Sequence, residues 1–339
     1  MRIILACDRS GGHFFPARCL ANYFGKERVF FFVPSYYFKF LLRKDGFSVY
    51  GFTLKFRNIL IESIFRFWES VYLIFKLRPH RVIGFGGRDT FFLILLSRLF
   101  FIDVAIYEPN VILGKTNRVL ALFVKRVYRG MPPFKFSNKD KWVKVPIRDE
   151  LMRYDKKYAR KILGLDYNIP VIMCFGGSQG SEFINTVFRQ MIEILEEDCS
   201  IIHITGFKQY SYFLGFYDKI KKKAIVYDFC ENIEFLYSAA DIVICRGGAL
   251  SIGEVVSYKI PAIFVPYPGA ENHQYVNVSY LKKRDACYMV DQRNFSFKAF
   301  KECLEKLLSD SEERLRIKDN LKKIDIIVDC REFSRSFEE

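Results

Sequence analysis

The first residues that could do chemistry form a short glycine loop near the start of the chain. Ser10, Gly11, Gly12 and His13 follow an apolar run at 3–7 and precede a helical pattern. Small residues here let backbone N–H groups and a helix N-terminus face an anion. Histidine is the usual general base near neutral pH. A glycine turn with a helix-capping histidine would have the same sequence, so both interpretations stay open.

Two further loops follow apolar runs in the same part of the chain. Gly86 and Gly87 end a Gly-Phe-Gly-Gly sequence, and Glu108 and Asn110 follow the run at 104–107. In open α/β sheets, ligands bind outside the carboxyl ends of the strands. Three loops at one edge therefore indicate a site, although Glu108 alone would more often be a solvated loop acid.

A second glycine loop begins the other half of the chain. Gly-Gly-Ser-Gln-Gly at 176–180 contains Ser178 and Gln179 and precedes a helical pattern. Backbone donors, a hydroxyl and a helix dipole suit a diphosphate. Arg148 could add a charge-assisted contact. A tight turn beside a surface arginine is the alternative interpretation.

The stretch richest in possible ligands lies at 240–277. An Arg-Gly-Gly loop opens a helix with Leu250, Ser251 and Glu254, and a Pro-bounded loop leads to Gln274 and Asn277. A carboxylate near a cleft can hold two vicinal hydroxyls, as in ribose recognition. The amides offer donors and acceptors for further sugar hydroxyls. The sequence therefore favours a nucleotide-sugar site in this half.

Several motifs are absent from the sequence. It contains no Asp-x-Asp platform, no Gly-x-x-x-x-Gly-Lys-Ser/Thr phosphate loop and no His-x-x-x-His zinc pair. The first loop also departs from Gly-x-Gly-x-x-Gly, which disfavours a dinucleotide oxidoreductase. We expect no bound metal and no cofactor.

The elements that must position these residues alternate between short apolar runs and longer helical patterns. At 339 residues the chain is long enough for about two domains. Alternation of this kind predicts parallel βαβ units in two Rossmann-like, doubly wound α/β domains. We expect domains at 1–149 and 150–325, and a tail at 326–339 that is helical and packs on the first domain. The predicted strands are 3–7, 28–33, 47–52, 81–85, 104–107, 142–145, 171–175, 201–205, 224–227, 242–245 and 262–265, and the predicted helices include 59–76, 182–195 and 296–322.

All of the excess positive charge lies in the first half of the chain. Residues 1–150 contain 26 Lys and Arg against 11 Asp and Glu, whereas the remainder is neutral, and the net charge is +15. The same half holds 22 of the 36 Phe residues. Such asymmetry suggests an anionic partner: nucleic acid, a phosphorylated substrate or an anionic membrane. No nucleic-acid recognition pattern is present, so we expect no nucleic-acid partner.

Nine scattered cysteines without a Cys-x-x-Cys pair argue against a disulfide framework or a zinc site, and fit a reducing compartment. The apolar start is too short for a signal peptide. The apolar stretch 91–102 is interrupted by Arg98 and is shorter than the roughly 20 residues that span a bilayer. We therefore expect a soluble protein without a membrane span.

Together these loops resemble the MurG family, the UDP-N-acetylglucosamine–lipid I N-acetylglucosaminyltransferases of glycosyltransferase family 28. The similar segments run in order: 11–17, 84–87, 108–110, 116–118, 176–180, 240–254 and 261–277. The resemblance implies a GT-B fold, with two Rossmann-like domains facing a cleft. It also implies an inverting reaction that transfers GlcNAc from UDP-GlcNAc to the undecaprenyl-diphosphate-linked muramyl peptide (lipid I).

The resemblance assigns roles position by position. The residues that it implies for binding UDP-GlcNAc are Arg148, Ser178, Gln179, Leu250, Ser251, Glu254, Gln274 and Asn277. Of these, Glu254 would contact the ribose, and Gln274 and Asn277 would contact the GlcNAc. The acceptor side would comprise Ser10, Gly11, Gly12, Gly86, Gly87 and Asn110. His13 would be the base, with Glu108 as its rival or orienting partner. Further implied partners are an anionic membrane at the cytoplasmic face and a cell-wall synthesis complex.

The chain departs from the family pattern around the acceptor loops. Asp8 and Arg9 stand where glycines are usual, and Tyr107 and Pro109 replace the usual His and Gln. Arg88 stands where Tyr is usual, and His273 where a second Gln can occur. These departures leave two alternatives open: transfer to another lipid acceptor such as diacylglycerol, and a non-catalytic subunit that binds sugar nucleotide or membrane.

Aromatic residues in the basic half offer an explanation for its composition. One predicted helix contains the cations Arg66 and Lys76, is followed by Arg78, and carries the apolar residues Ile64, Phe65, Phe67, Trp68, Val71, Tyr72, Ile74 and Phe75. In a second segment, Arg98 is flanked by Phe91, Phe92, Phe100 and Phe101. Most of these rings could be core packed on the sheet. Aromatic residues beside cations also suit a surface that meets anionic lipid, and we expect at least one such exposed patch.

Overall fold

The structure is a computed structural model that describes residues 1–54, 58–148, 151–177, 180–220 and 222–338. The chain divides into two compact units, one made of Met1–Arg148 with Ile326–Glu339 and the other of Asp149–Asp325. The expected boundary between residues 149 and 150 differs from this division by one residue. The segment expected to form a tail belongs to the first unit.

The first unit is a parallel sheet covered by helices. Its strands are β1 (Ile3–Ala6), β2 (Val29–Phe32), β3 (Ser48–Tyr50), β4 (Arg81–Gly84), β5 (Asp103–Glu108), β6 (Arg126–Arg129) and β7 (Asp140–Trp142), in the order β3-β2-β1-β4-β5-β6-β7, with β8 (Val145–Ile147) outside this sheet. Its helices up to residue 148 are α1 (Gly11–Phe24), α2 (Tyr36–Lys44), α3 (Ile59–Leu77), α4 (Phe91–Leu99) and α5 (Lys115–Leu120). Both faces of the sheet carry apolar clusters, as parallel sheets require.

The second unit repeats this architecture around its own sheet. Its strands are β9 (Val171–Phe175), β10 (Ser200–Ile204), β11 (Ala224–Tyr227), β12 (Ile242–Cys245), β13 (Ala262–Phe264) and β14 (Tyr288–Met289), in the order β11-β10-β9-β12-β13-β14. Its helices are α6 (Lys156–Ile162), α7 (Glu182–Ile194), α8 (Tyr210–Tyr217), α9 (Ile233–Ala239), α10 (Ala249–Tyr258), α11 (His273–Lys282), α12 (Phe297–Ser309) and α13 (Ser311–Lys322).

In each unit the strand order reverses beside the first strand, and this topology positions the site loops. Strand β1 pairs with both β2 and β4, and β9 pairs with both β10 and β12. The register places Ala6 opposite Gly84 and Phe175 opposite Cys245. The loops after β1 and β4, and those after β9 and β12, therefore begin side by side at the edge where such folds bind ligands.

The end of the chain completes the first unit. Strand β15 (Ile327–Asp329) pairs with β8, and helix α14 (Cys330–Arg335) packs on α1. Phe333 and Phe337 are fully buried, and the ring of Phe337 stacks on Tyr128 at 3.9 Å. Cys19 and Cys330 form a disulfide, contrary to the expectation drawn from the scattered cysteines. Because the two cysteines are 311 residues apart, their pairing depends on this return of the chain.

Two predicted elements differ from the structure. The strand expected at 142–145 is divided between β7 and β8, because Lys144 adopts a left-handed φ of 62°. The helix expected at 296–322 is two helices. Asp310 interrupts it in an extended conformation, and its carboxylate accepts a hydrogen bond from the Glu313 N–H at the start of α13.

Candidate functional site

The loop after β1 holds His13 in one orientation. Nδ1 of His13 lies 2.7 Å from Oδ1 of Asp8, and the same oxygen accepts a hydrogen bond from the Ser10 N–H at 2.8 Å. An ionised carboxylate only accepts, so Nδ1 carries a proton, and Nε2 has a lone pair whenever the imidazole is neutral. Burial lowers the pKa of His13, but Asp8, with a smaller effect from Glu108, raises it above the ordinary value overall. A histidine in this state can act as a base through Nε2.

The glycines of the neighbouring loop make room for this pair. Gly86 and Gly87 have φ values of 100° and 92°, which L side chains rarely adopt. A Cβ on Gly86 would lie 3.0 Å from Nε2 of His13, and a Cβ on Gly87 would overlap the Asp8 carboxylate. The glycine pair is therefore required by close approach to the loop after β1. In that loop, a Cβ on Gly12 would meet open space.

Glu108 lies at the end of β5 in a closed hydrogen-bonded setting. It is 2% exposed, and within the described residues its oxygens accept bonds from the N–H and Nδ2 of Asn110, the Gly114 N–H and Nδ2 of Asn117. These four donors occupy the usual capacity of a carboxylate. The arrangement fits a carboxylate that orders the 108–117 loop. Asn117 was not predicted as a site residue, although it lies in the segment 116–118 that resembles the family.

The departures Arg9 and Arg88 belong to an ion-pair network beside this edge. Arg9 lies 3.5 Å from Glu62 and 3.4 Å from Asp89, and Arg88 lies 2.7 Å from Glu62. Buried Arg66 pairs with Asp89 at 3.3 Å. The network connects the loop after β1 to α3 and to the loop between β4 and α4.

Two glycines of the loop after β9 adopt backbone conformations that favour glycine. Gly177 and Gly180 have φ values of 88° and 71°, and a Cβ on Gly180 would press on the Thr205 carbonyl. Ser181 caps α7 by accepting from the Ile184 N–H at 3.3 Å. The predicted donor residues Ser178 and Gln179 lie outside the described residues.

Arg246, which was not predicted as a site residue, connects this loop to the loop after β12. Its guanidinium donates to Ser181 Oγ at 2.6 Å, to the Val265 carbonyl at 3.0 Å and to Gln292 Oε1 at 2.6 Å. Burial lowers the pKa of Arg246 to about 10, so it remains a cation near neutral pH. Its place in the Cys-Arg-Gly-Gly sequence was the available signal.

The other residues predicted to bind the sugar nucleotide in the second unit lie on α10 and α11. Leu250, Ser251 and Glu254 are partly exposed on α10, and Glu254 accepts a hydrogen bond from the Tyr237 hydroxyl at 2.8 Å. The Oε1 of Gln274 accepts from the N–H groups of Gly247 and Tyr267, at 3.1 and 2.9 Å. Its Nε2 makes no hydrogen bond with the described residues and can donate to a ligand.

Asn277 differs from the expectation of an amide facing a sugar. It is fully buried, and its Nδ2 donates to the Gly247 carbonyl at 3.3 Å. Because α11 packs this position against the loop after β12, the side chain supports the loop backbone. In the structure Asn277 is a loop support, and its assignment to the sugar stays a prediction.

Arg148 lies at the end of the first unit, where its guanidinium carbon is 4.4 Å above the ring of Phe15. Its assignment to the nucleotide stays a prediction. Within the described ranges, no group of three or more His, Cys, Asp or Glu side chains could hold a metal ion.

Helix α3 buries charged side chains on one side and exposes apolar side chains on the opposite side. Glu62, Arg66 and Glu69 are buried. The opposite side forms what we call the α3 apolar face, whose exposed members are Ile64, Trp68, Tyr72 and Phe75. Arg66, expected to lie beside this surface as a cation, instead donates to Glu69 at 2.6 Å inside the unit. Among the described residues, no helix is long and apolar enough to cross a membrane.

Comparisons with known proteins agree with this arrangement. The glycosyltransferase family 28 N-terminal domain matches residues 3–129, and the family 28 C-terminal domain matches residues 171–329. A protein of Caldanaerobacter subterraneus subsp. tengcongensis is 30% identical over 336 residues, covering 91% of this chain and 92% of its own length. A protein of Aquifex aeolicus is 30% identical over 326 residues, with 93% of each chain covered. Both are named UDP-N-acetylglucosamine–N-acetylmuramyl-(pentapeptide) pyrophosphoryl-undecaprenol N-acetylglucosamine transferase.

Among solved structures, Acinetobacter baumannii MurG matches with a TM-score of 0.78 and 22% identity, covering 100% of this chain and 99% of its own. Other glycosyltransferases match at TM-scores of 0.65–0.69. These matches confirm the predicted α/β fold of the GT-B type. With both family domains matched and two relatives aligned over nine-tenths of its length, the chain belongs to glycosyltransferase family 28 and, within it, to the MurG family.

Proposed function

We propose that this protein transfers GlcNAc from UDP-GlcNAc to the muramyl sugar of an undecaprenyl-diphosphate-linked muramyl peptide, with inversion at the anomeric carbon. Full-length similarity to relatives named for this reaction supports the substrates. The observation that carries the chemistry is His13, whose Nε2 has no hydrogen-bond partner among the described residues while Asp8 fixes Nδ1.

The reaction requires one proton transfer and one displacement. The acceptor hydroxyl attacks the anomeric carbon of GlcNAc, the bond from that carbon to UDP breaks, and His13 Nε2 takes the hydroxyl proton. UDP leaves with the bonding electrons. The closed setting of Glu108 supports His13 rather than Glu108 as the base, because every usual acceptor position of the Glu108 carboxylate is occupied.

The second unit supplies groups that suit a departing diphosphate. The glycine loop at 176–180 leads to the N-terminus of α7, whose backbone N–H groups favour negative charge. Arg246 adds a buried positive charge beside Ser181. Such preorganised donors stabilise the charge that develops on the leaving group. We assign this chemistry to the protein without a metal.

We further propose that the protein binds peripherally to the cytoplasmic face of the membrane that holds its acceptor. The α3 apolar face supports this, since Ile64 is 61% exposed and Trp68 is 64% exposed. Contiguous exposed apolar groups mark interaction surfaces. Phe75 also contacts exposed Phe100 at 5.4 Å, which extends the face to the end of α4. The net charge of +15 would attract anionic lipid.

The test of the acceptor uses purified full-length protein, labelled UDP-GlcNAc and detergent-dispersed lipid I analogue, with diacylglycerol in a parallel reaction. We expect label to enter lipid I at a rate proportional to enzyme, and none to enter diacylglycerol. Label in diacylglycerol alone would refute the proposed acceptor. UDP-GlcNAc binding without transfer to either acceptor would indicate a non-catalytic subunit.

A further arm of the same assay tests the metal-free mechanism. We expect the rate of transfer to lipid I to be unchanged by EDTA. A loss of activity that added Mg²⁺ restores would contradict it.

A further inference from the structure

Asp8 and His13 form a close pair built by one short loop. The carboxylate contacts Nδ1 of His13 at 2.7 Å and is itself held by the Ser10 N–H at 2.8 Å. Both side chains are about one-fifth exposed. The pair is therefore partly shielded from water, which strengthens its electrostatic interaction.

Neighbouring residues shape the loop around this pair. Gly87 leaves the space that the Asp8 carboxylate fills, because any Cβ there would overlap it. Arg9, the next residue of the loop, forms ion pairs with Glu62 and Asp89. Asp8 and Arg9 therefore each have a defined partner in this loop.

We propose that Asp8 is a positioning residue for the His13 base, an inference that rests on the proposed transfer reaction. The carboxylate holds the imidazole with Nδ1 protonated, so that Nε2 faces the acceptor hydroxyl. When Nε2 takes the hydroxyl proton, the ionised Asp8 stabilises the imidazolium and remains unprotonated. The hydroxyl oxygen forms its bond to the anomeric carbon as the bond to UDP breaks.

The test is the variant Asp8→Asn, which keeps the size and the oxygen of the side chain but removes its charge. We expect kcat to fall by about tenfold or more, a share of the 10²–10⁴ that a general base contributes, with KM for UDP-GlcNAc within about twofold of the original. The charged groups facing His13 are Asp8 on its own loop and Glu108 from β5. Because Asp8→Asn removes a negative charge beside His13, the pKa of His13 should fall, and the acidic limb of the kcat/KM profile should move to lower pH.

Histidine NMR gives a readout that is independent of turnover. The chain has four histidines, so His13 can be assigned by comparison with His13→Gln. In the original protein, at a pH above the pKa of His13, we expect a neutral imidazole protonated at Nδ1, and in Asp8→Asn we expect His13 to titrate at lower pH. This separates the two proposals: absence of transfer by the original protein overturns the reaction, whereas an unchanged titration overturns the role of Asp8.

Three further variants guard against a folding artefact. Gly87→Ala should displace the carboxylate and reproduce the kcat loss of Asp8→Asn, whereas Gly215→Ala on α8, where a Cβ meets open space, should leave activity unchanged. Asp45→Asn removes a carboxylate that pairs with Arg18 of α1 at 2.9 Å and should also leave kcat unchanged. If Asp8→Asn retains the original kcat and pH profile while folded, Asp8 has no positioning role.

Discussion

At the scale of single residues, the structure distinguishes the two candidate bases, His13 and Glu108, which the sequence alone could not do. His13 and Glu108 were predicted as rivals, and their surroundings differ: among the described residues Nε2 of His13 has no hydrogen-bond partner, whereas the Glu108 carboxylate accepts four hydrogen bonds. The spacing of glycines and polar residues was enough to identify the loops. The partner of each side chain was not predictable, because Asp8 contacts His13 only through the conformation of the loop.

We expect Glu108→Gln to destabilise the first unit. An amide would present N–H groups to donors that now face a carboxylate, and a hydrogen bond to a charged group contributes about 1.5–3 kcal/mol. The free energy of unfolding in urea should therefore fall by about that amount or more. If stability is unchanged while kcat collapses, Glu108 is a base and not a loop support.

The pH dependence of the reaction should follow the protonation of His13. Asp8, with Glu108, raises its pKa above the ordinary value of about 6.5, so neutral His13 is lost as the pH falls through a point above 6.5. On the acidic side of the profile, kcat/KM should therefore rise with pH around that point, as expected for the loss of a single proton. A flat profile between pH 6 and pH 8 would show that His13 does not act as the base.

At the scale of elements, the helical pattern at 59–76 was correct, but the direction of its faces was not predictable. Its apolar residues suggested a helix packed on the sheet, and Leu73, Ile74 and Leu77 do pack there. In its first half the buried side carries Glu62 and Arg66 instead. The ion-pair partners come from distant positions such as Asp89, which periodicity within one helix does not reveal.

We expect the α3 apolar face to set membrane affinity. The double variant Ile64→Ser/Trp68→Ser should bind anionic phospholipid vesicles at least about tenfold more weakly, since burying each side chain is worth roughly 1.5–3 kcal/mol. Vesicle co-sedimentation measures this. Tyr212→Ser/Leu315→Ser, which alters exposed side chains of the second unit, is the matched control. Equal binding of all three proteins would contradict the assignment of this face.

At the scale of the whole molecule, alternation along the sequence predicted two parallel α/β units, and the comparisons confirm that fold class. The sheet strands 171–175, 224–227 and 242–245 were predicted to the residue. The disulfide between Cys19 and Cys330 was not predicted. Spacing along the chain could not reveal it, since it depends on α14 lying against α1.

Removing residues 326–339 should therefore destabilise the first unit selectively. Phe333 and Phe337 are fully buried there, and exposing two such side chains costs roughly 3 kcal/mol or more. Calorimetry should show the transition of the first unit at lower temperature and that of the second unit unchanged. Cys330→Ala, which removes only the disulfide, separates that contribution. An unchanged melting profile after truncation would show that the tail adds nothing to the unit.

The central claim is that this chain transfers GlcNAc to lipid I with His13 as the base. The most direct measurement is the initial rate of transfer by the original protein and by His13→Gln, with UDP-GlcNAc affinity measured on both by calorimetry. We predict a rate at least about 10²-fold lower for the variant, with the donor dissociation constant unchanged. Transfer by His13→Gln at a rate within twofold of the original would contradict the claim.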